Sequence, residues 1–76
     1  MVIITEKIEI NTQFIRLDSF LKLAGMALTG GQAKVVIQGG EVMVDGEICT
    51  ARGKKLVSGC IVSYNGESAE VVCTID

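Results

Sequence analysis

The chain has 76 residues, which is enough for one domain and too few for two, because a chain of this length buries only about 60–65% of its unfolded surface. With 49% apolar and 21% charged residues, the composition excludes a disordered polymer, since apolar side chains are present to offset the loss of chain entropy. The formal net charge of −2 disfavours a nucleic-acid partner unless the cations are concentrated in one segment. We predict a single domain over residues 1–76.

The cations are concentrated in the middle of the chain. Residues 16–55 hold six cations and four carboxylates, a net charge of +2, whereas the remaining residues carry a net charge of −4. Exposed charges are screened beyond about 8 Å at physiological salt. A local basic cluster can therefore act on an anionic partner although the whole chain is acidic.

The numbers and positions of cysteines and histidines limit which metal sites and disulfides are possible. Cysteines stand at 49, 60 and 73 with no C-x-x-C pair, and the chain has no histidine to complete a zinc set. We expect no metal and no cofactor. An odd number of thiols without a disulfide framework predicts a cytoplasmic, reducing location, with the cysteines packed as small apolar side chains.

Neither a leader nor a membrane span is predicted. The apolar N-terminus is interrupted by Glu6, Lys7 and Glu9 and lacks a cleavage site of small residues. The uncharged stretch that begins at Leu23 is broken by glycines and is far shorter than the roughly 20 apolar residues that a membrane span needs. We expect no membrane partner.

The first predicted elements are a strand and a helix. Residues 2–10 are rich in β-branched side chains in partial alternation, which predicts a strand. Apolar residues then recur at helical spacing, and Gly25 supplies a C-terminal stop; the apolar positions are Leu17, Phe20, Leu21 and Ala24. Asp18 and Lys22, four residues apart, are predicted to form an ion pair on the exposed side.

A second helix is predicted to begin at a capping box. Thr29 is the predicted N-cap, and Gln32 stands at the third helical position, from which its side chain can reach back to the cap amide. The predicted helix ends at two glycines. Its apolar side consists of Ala33, Val36 and Ile37, and its opposite side carries Lys34 and Gln38. Two short helices this close in sequence predict a helical hairpin.

The C-terminal half has strand patterns with tight-turn signals. Alternating valines at residues 42 and 44 precede a tight turn at Asp45 and Gly46, after which residues 47–49 resume an extended pattern. A second such turn is predicted at Asn65 and Gly66, between strands at residues 61–64 and 69–75. A basic loop at residues 50–55 separates the two hairpins. We predict an α+β fold in which a two-helix hairpin packs on a small, mainly antiparallel sheet of about four to five short strands.

Catalytic patterns are missing from this sequence. Without histidine, the cysteines and serines lack an ordinary activating base. Gly25 and Gly30 are spaced as in a P-loop, but Gly31 stands where the phosphate-binding lysine would be. We therefore predict that the protein is not an enzyme.

Three segments in order, IRLDSFLKLAG, LTGGQAKVVIQGGEVMVDG and ARGKK, form an ordered motif. The set resembles the S-four RNA-binding domain, or alpha-L motif, over about residues 15–64, without gaps across residues 16–46. Small bacterial proteins that consist of little more than this domain, with an extra N-terminal strand, are the most similar in overall plan. The resemblance implies the alpha-L fold and RNA binding.

The resemblance also implies which residues contact RNA. In that family the polar face of the second helix and the start of the first helix face an RNA backbone, which here implies contacts from Arg16, Thr29, Lys34 and Gln38. Gly30 and Gly31 leave the start of the second helix without side chains, so that a sugar-phosphate strand can approach the backbone. Charge and loop position add Arg52, Lys54 and Lys55.

Some features depart from the family pattern. Many members carry a cation where Gly30 and Gly40 stand, which predicts fewer phosphate contacts here. The chain has only three aromatic residues, so few side chains are available to stack on the bases of single-stranded RNA. Folded RNA is therefore a better candidate target than single-stranded RNA.

The predicted function is that of an RNA-binding accessory protein. Its candidate targets are ribosomal RNA during ribosome assembly and a tRNA-like RNA, with a ribosomal or assembly-factor protein as a further candidate partner. The alternative is a protein-interaction module that docks through an edge strand or through the acidic C-terminal hairpin.

Overall fold

The computed structural model describes residues 5–75, which form two helices and seven strands. The predicted α+β class is confirmed, and residues 2–4 of the predicted first strand lie outside the described range. In chain order the elements are β1 (Thr5–Ile10), β2 (Ile15–Arg16), α1 (Leu17–Leu23), α2 (Gly30–Gln38), β3 (Val42–Val44), β4 (Glu47–Ile48), β5 (Lys55–Leu56), β6 (Ile61–Tyr64) and β7 (Glu67–Cys73).

Five strands form the main sheet in the order β1-β7-β6-β3-β4. The pairs β7-β6, β6-β3 and β3-β4 are antiparallel, whereas β1 runs parallel to β7, with Ile8 opposite Val71. Both predicted hairpin turns are present. Asp45 and Asn65 adopt φ values of 53° and 52°, and each is followed by a glycine with positive φ, as a type I′ turn requires.

A second, two-stranded sheet was not predicted from the sequence. In it β2 pairs with β5, and Arg16 lies opposite Lys55. Strands of two residues are too short to show an alternating pattern, so no sequence signal predicts them. The pairing continues into α1, where the Leu17 amide donates to the Lys54 carbonyl at 2.9 Å and the Asp18 amide to the Arg52 carbonyl at 3.1 Å. The basic loop is thereby attached to the start of α1.

The helical hairpin packs on one face of the main sheet and forms one core with it. The predicted apolar stripes are confirmed, since Leu17, Phe20 and Leu21 of α1 are fully buried, and Ala33, Val36 and Ile37 of α2 are buried with them. Their sheet partners include Val42, Val62, Val71 and, from the small sheet, Leu56. The three cysteines are free and half-buried, and they pack against this core as predicted. Within residues 5–75, neither helix is both long and apolar enough to span a membrane.

Candidate nucleic-acid interface

The entry into α2 is held by two side-chain hydrogen bonds. Thr29 is the N-cap, and its hydroxyl oxygen accepts from the Gln32 amide at 3.0 Å, as predicted. The Gln32 carbonyl oxygen accepts from the Leu28 amide at 2.9 Å, so the prediction that it would bond to the amide of the cap residue was wrong. Thr29 is extended, with φ −137° and ψ 163°, and this brings the preceding amide within reach of the Gln32 side chain. The cap leaves the Thr29 hydroxyl proton available as a donor.

Replacing Thr29 by Ala is expected to lower the free energy of unfolding by about 1 kcal/mol, because the Gln32 amide loses its acceptor. The measurement is urea denaturation followed by circular dichroism. Thr29→Ser is the control, since serine keeps the hydroxyl and should restore most of the stability. Equal stability of Thr29→Ala and the parent protein would contradict the assigned cap.

The exposed side of α2 carries a polar stripe. Gly30, Lys34 and Gln38 are exposed and follow one another at intervals of one turn. A Cβ built on Gly30 would lie 4.0 Å from the Nζ atom of Lys22. The ammonium group of Lys22, at the end of α1, therefore lies beside the start of α2. Because the Cβ positions of residues 30 and 34 are about 5–6 Å apart, Lys22 and Lys34 flank the bare backbone of Gly30. We call Lys22, Gly30 and Lys34 the helix patch.

The predicted ion pair between Asp18 and Lys22 was wrong. The Oδ2 atom of Asp18 instead accepts from the Nη2 atom of Arg16 at 3.2 Å. Arg16 is the N-cap residue of α1 and is extended, with φ −73° and ψ 148°, which allows its side chain to fold over the first helical turn. Lys22 is thus left free of Asp18 and is directed to Gly30. Since exposed ion pairs are weak, about 0–1 kcal/mol, Arg16 can exchange this partner for an anionic ligand.

Four further cations lie at the opposite end of α1, and we call them the loop patch: Arg16, Arg52, Lys54 and Lys55. The Nη2 atom of Arg16 would lie 3.8 Å from a Cβ built on Gly53, and the Nζ atom of Lys55 lies 4.8 Å from the centroid of the Phe14 ring. Lys54 lines a surface groove together with Asp45 and Glu47. These two carboxylates reduce the positive potential around Lys54.

The two patches flank one side of α1. Asp18 and Lys22 are one turn apart, and the Arg16 guanidinium rests on Asp18, so Arg16 and Lys22 bracket this side over roughly 9 Å. Across residues 5–75, Arg16 with Asp18 is the only ion pair within 4.0 Å. Among residues 5–75, the remaining cations of both patches therefore have no carboxylate within 4.0 Å. Such an arrangement is suited to successive phosphates of a polyanion.

Lys22 is the residue that sequence reasoning missed. It belonged to the basic segment, but it was assigned to Asp18 because the two residues are four apart on a helix. Only the packing of α1 against α2 shows that its ammonium group lies beside Gly30. A lysine in the last turn of the first helix, just before a glycine-rich helix start, was the available signal.

Comparisons with known proteins agree with this architecture. A family model described as "S4 domain" matches residues 8–72. The Escherichia coli (strain K12) protein named "Putative RNA-binding protein YbcJ" is 43% identical over 58 residues, which cover 76% of this chain and 83% of that protein. The Bacillus subtilis (strain 168) protein named "Probable ribosome maturation protein RlbA" is 42% identical over 59 residues, covering 78% of this chain and 83% of that one.

A solved structure gives the same result. The solution structure of YbcJ from Escherichia coli, described as revealing an alpha-L motif involved in RNA-binding, has a TM-score of 0.70 and 36% identity, and the match covers 91% of this chain and 89% of that chain. The fold is that of an α+β domain of the alpha-L type. The chain belongs to the S4 domain family, as the sequence resemblance predicted.

Proposed function

We propose that this protein binds structured RNA through the sugar-phosphate backbone, with the helix patch and the loop patch as its contact surface. The observation that carries the proposal is the approach of Lys22 to the bare start of α2, one turn before Lys34. Backbone amides at a helix start, together with two ammonium groups, favour a phosphate. The names of the relatives support RNA as the polyanion.

The proposed contact residues are those predicted from the sequence, with Lys22 added. Lys22 and Lys34 bind one phosphate at Gly30, and the Thr29 hydroxyl and the amide of Gly31 donate to the same group. Gln38, two turns beyond Gly30, contacts the next part of the strand. Arg16 and the loop cations Arg52, Lys54 and Lys55 bind phosphates at the other end of α1.

The finer assignment is ribosomal RNA during ribosome assembly, in the cytoplasm, with a tRNA-like RNA as a second candidate target. The RlbA relative is named for ribosome maturation, which supports the ribosomal assignment. We also propose that residues 1–76 act as a single RNA-binding domain without catalytic activity. The relatives' names refer to RNA binding and ribosome maturation and not to a reaction.

Lys34→Ala tests the proposal. With about four or five neutralised phosphates, the logarithm of the affinity should fall with the logarithm of the salt concentration at a slope of roughly −3 to −4. Removing Lys34 should weaken binding about fivefold at low salt and make the slope shallower by about one. Fluorescence anisotropy with a labelled, folded RNA across a series of salt concentrations measures both quantities.

Lys7→Ala is the matched control. Lys7 is an exposed cation of β1, it lies opposite Glu70 in the register, and it faces away from the helices. Its removal changes the net charge by the same amount and should change the affinity by less than about twofold. Equal losses for the two variants would show that binding depends only on net charge and would refute the assigned surface.

A further inference from the structure

Phe14 is an exposed aromatic residue beside the loop patch. Of the three aromatic residues, all of which lie within residues 5–75, Phe20 is fully buried and Tyr64 is half-buried, whereas Phe14 is 45% exposed. Phe14 belongs neither to the buried core nor to the partly buried residues that pack against it. The Thr12 hydroxyl donates to the Phe14 carbonyl at 2.8 Å and restrains the backbone there. Packing of the core therefore does not account for an aromatic side chain at this position.

The Phe14 ring lies on the same side of the small sheet as two cations. Ile15 packs against the core, and its register partner Leu56 is fully buried, so the inner face of this sheet is apolar. Because side chains alternate along an extended chain, Phe14 and Arg16 on either side of Ile15 point to the outer face. The Nζ atom of Lys55, 4.8 Å from the centroid of the Phe14 ring, agrees with this placement.

The two cations of this outer face oppose each other across the small sheet. Arg16 and Lys55 are register partners and both are exposed, so their Cβ atoms lie about 4.5–5.5 Å apart on one face. Like charges placed directly opposite each other destabilise a pair of strands. Asp18 pairs with Arg16, but among residues 5–75 no carboxylate lies within 4.0 Å of Lys55. A bound phosphate would offset this repulsion, next to an exposed aromatic ring.

We propose that the outer face of the small sheet binds one unpaired nucleotide of a folded RNA. The base stacks on the exposed part of the Phe14 ring, and the phosphate of the same nucleotide lies between Arg16 and Lys55. A base inside a duplex is stacked on its neighbours, whereas a bulged base is free to reach the ring. This inference rests on the proposed function, and it adds a preference for bulged RNA that backbone contacts alone do not supply.

The test compares three labelled RNA hairpins that differ at one position of the stem. The first stem is fully paired, the second has one bulged adenosine, and the third has an abasic nucleotide in place of that adenosine. Stacking of the base should make the adenosine-bulged hairpin bind about tenfold more tightly than the paired one, by fluorescence anisotropy at about 50 mM salt. The abasic hairpin keeps the extra phosphate but should bind within about twofold of the paired one. Equal affinities for the two bulged hairpins would overturn the proposal.

Substitutions at Phe14 separate stacking from apolar bulk. Phe14→Leu should reduce the preference for the adenosine bulge from about tenfold to less than about threefold, while the affinity for the paired hairpin stays within about twofold. Phe14→Tyr keeps the ring and should keep the preference. Ile48→Ala is the matched control, because Ile48 is 65% exposed but lies in β4 of the main sheet. A full preference in Phe14→Leu, or an equal loss in Ile48→Ala, would refute the assigned contact.

NMR of the unchanged protein gives a direct readout of the same contact. The chain contains two phenylalanines, so ¹³C labelling of this residue type reports on Phe14 and on the buried Phe20, which serves as the internal reference. With the adenosine-bulged hairpin we expect nuclear Overhauser effects between the Phe14 ring protons and the base protons of the bulged adenosine. Ring shifts of equal size with the abasic hairpin would contradict stacking.

The paired hairpin distinguishes failure of this proposal from failure of the proposed function. If the paired and the adenosine-bulged hairpins bind equally well, RNA binding through the backbone stands and only the Phe14 contact fails. If no hairpin binds at about 50 mM salt, both proposals fail. Lys34→Ala should weaken binding of all three hairpins by the same factor of about five and leave the preference for the bulge unchanged. Loss of that preference in Lys34→Ala would place the base at the helix patch and overturn the site at Phe14.

Discussion

Replacing Gly30 by Glu is expected to weaken RNA binding by about tenfold or more while the protein becomes slightly more stable. The carboxylate would lie between Lys22 and Lys34, neutralise the helix patch and repel the phosphate. The side chain fits, because the nearest atom to a Cβ at this position is the Lys22 Nζ at 4.0 Å and φ is not positive. Gain of helix propensity and a negative charge at the helix start should add about 0.5–1 kcal/mol to the free energy of unfolding.

In this variant the affinity for RNA should fall while the free energy of unfolding rises. A folding defect would instead lower both quantities, so the two explanations can be told apart. The measurements are anisotropy with folded RNA at about 50 mM salt, where phosphate contacts dominate affinity, and urea denaturation. Gly30→Gln is the uncharged control and should lose less affinity. Gly30→Lys, which places a cation where many family members have one, should bind RNA more tightly. Unchanged affinity in Gly30→Glu would contradict the helix patch as the phosphate site.

Removing the three loop cations together, as Arg52→Gln, Lys54→Gln and Lys55→Gln, is expected to weaken RNA binding by roughly ten- to hundredfold. The salt slope should become shallower by about two and not by three, because Lys54 shares its groove with two carboxylates. The fold should survive. The carbonyls of Arg52 and Lys54 that bond to the start of α1 are unchanged, and only the contact of Lys55 with Phe14, about 0.5–1 kcal/mol, is lost.

Lys54→Gln alone is the internal control for this prediction and should change the slope by less than about half a unit. Salt titrations of the single and the triple variant, with thermal melts to check folding, measure these effects. An unchanged slope in the triple variant would leave the helix patch and Arg16 as the phosphate-binding cations. A large effect of Lys54→Gln would show that Asp45 and Glu47 do not screen it in the complex.

The elements that are specified by a regular spacing of apolar residues or by a local turn or cap motif were predictable from the sequence. The buried positions of both helices follow the i, i+3, i+4 spacing, and the cap at Thr29 and the turns at Asp45 and Asn65 form where their residue types predict. The ordered motif was enough to predict the S4 domain family and the α+β fold. In the candidate site, Lys34 and Gln38 were predictable as exposed positions because the helix phase sets which side is buried.

The arrangement between elements was not predictable in the same way. No local signal specifies that β1 pairs in parallel with β7, about sixty residues later, or that β2 meets β5 and attaches the basic loop to α1. The pairing of Asp18 likewise depends on the conformation of Arg16. The position of the Lys22 ammonium group beside Gly30 depends on the packing of α1 against α2.

The sequence by itself therefore determined the helices, the tight turns, the buried stripes and the family, because each depends on residues within about a turn or a hairpin of one another. The tertiary structure alone decided which cations of residues 5–75 are free and which are paired, and that β2 attaches the basic loop to α1. Apart from the pair of Arg16 with Asp18, which are two residues apart, these properties depend on contacts between different elements, and burial of the shared core selects those contacts.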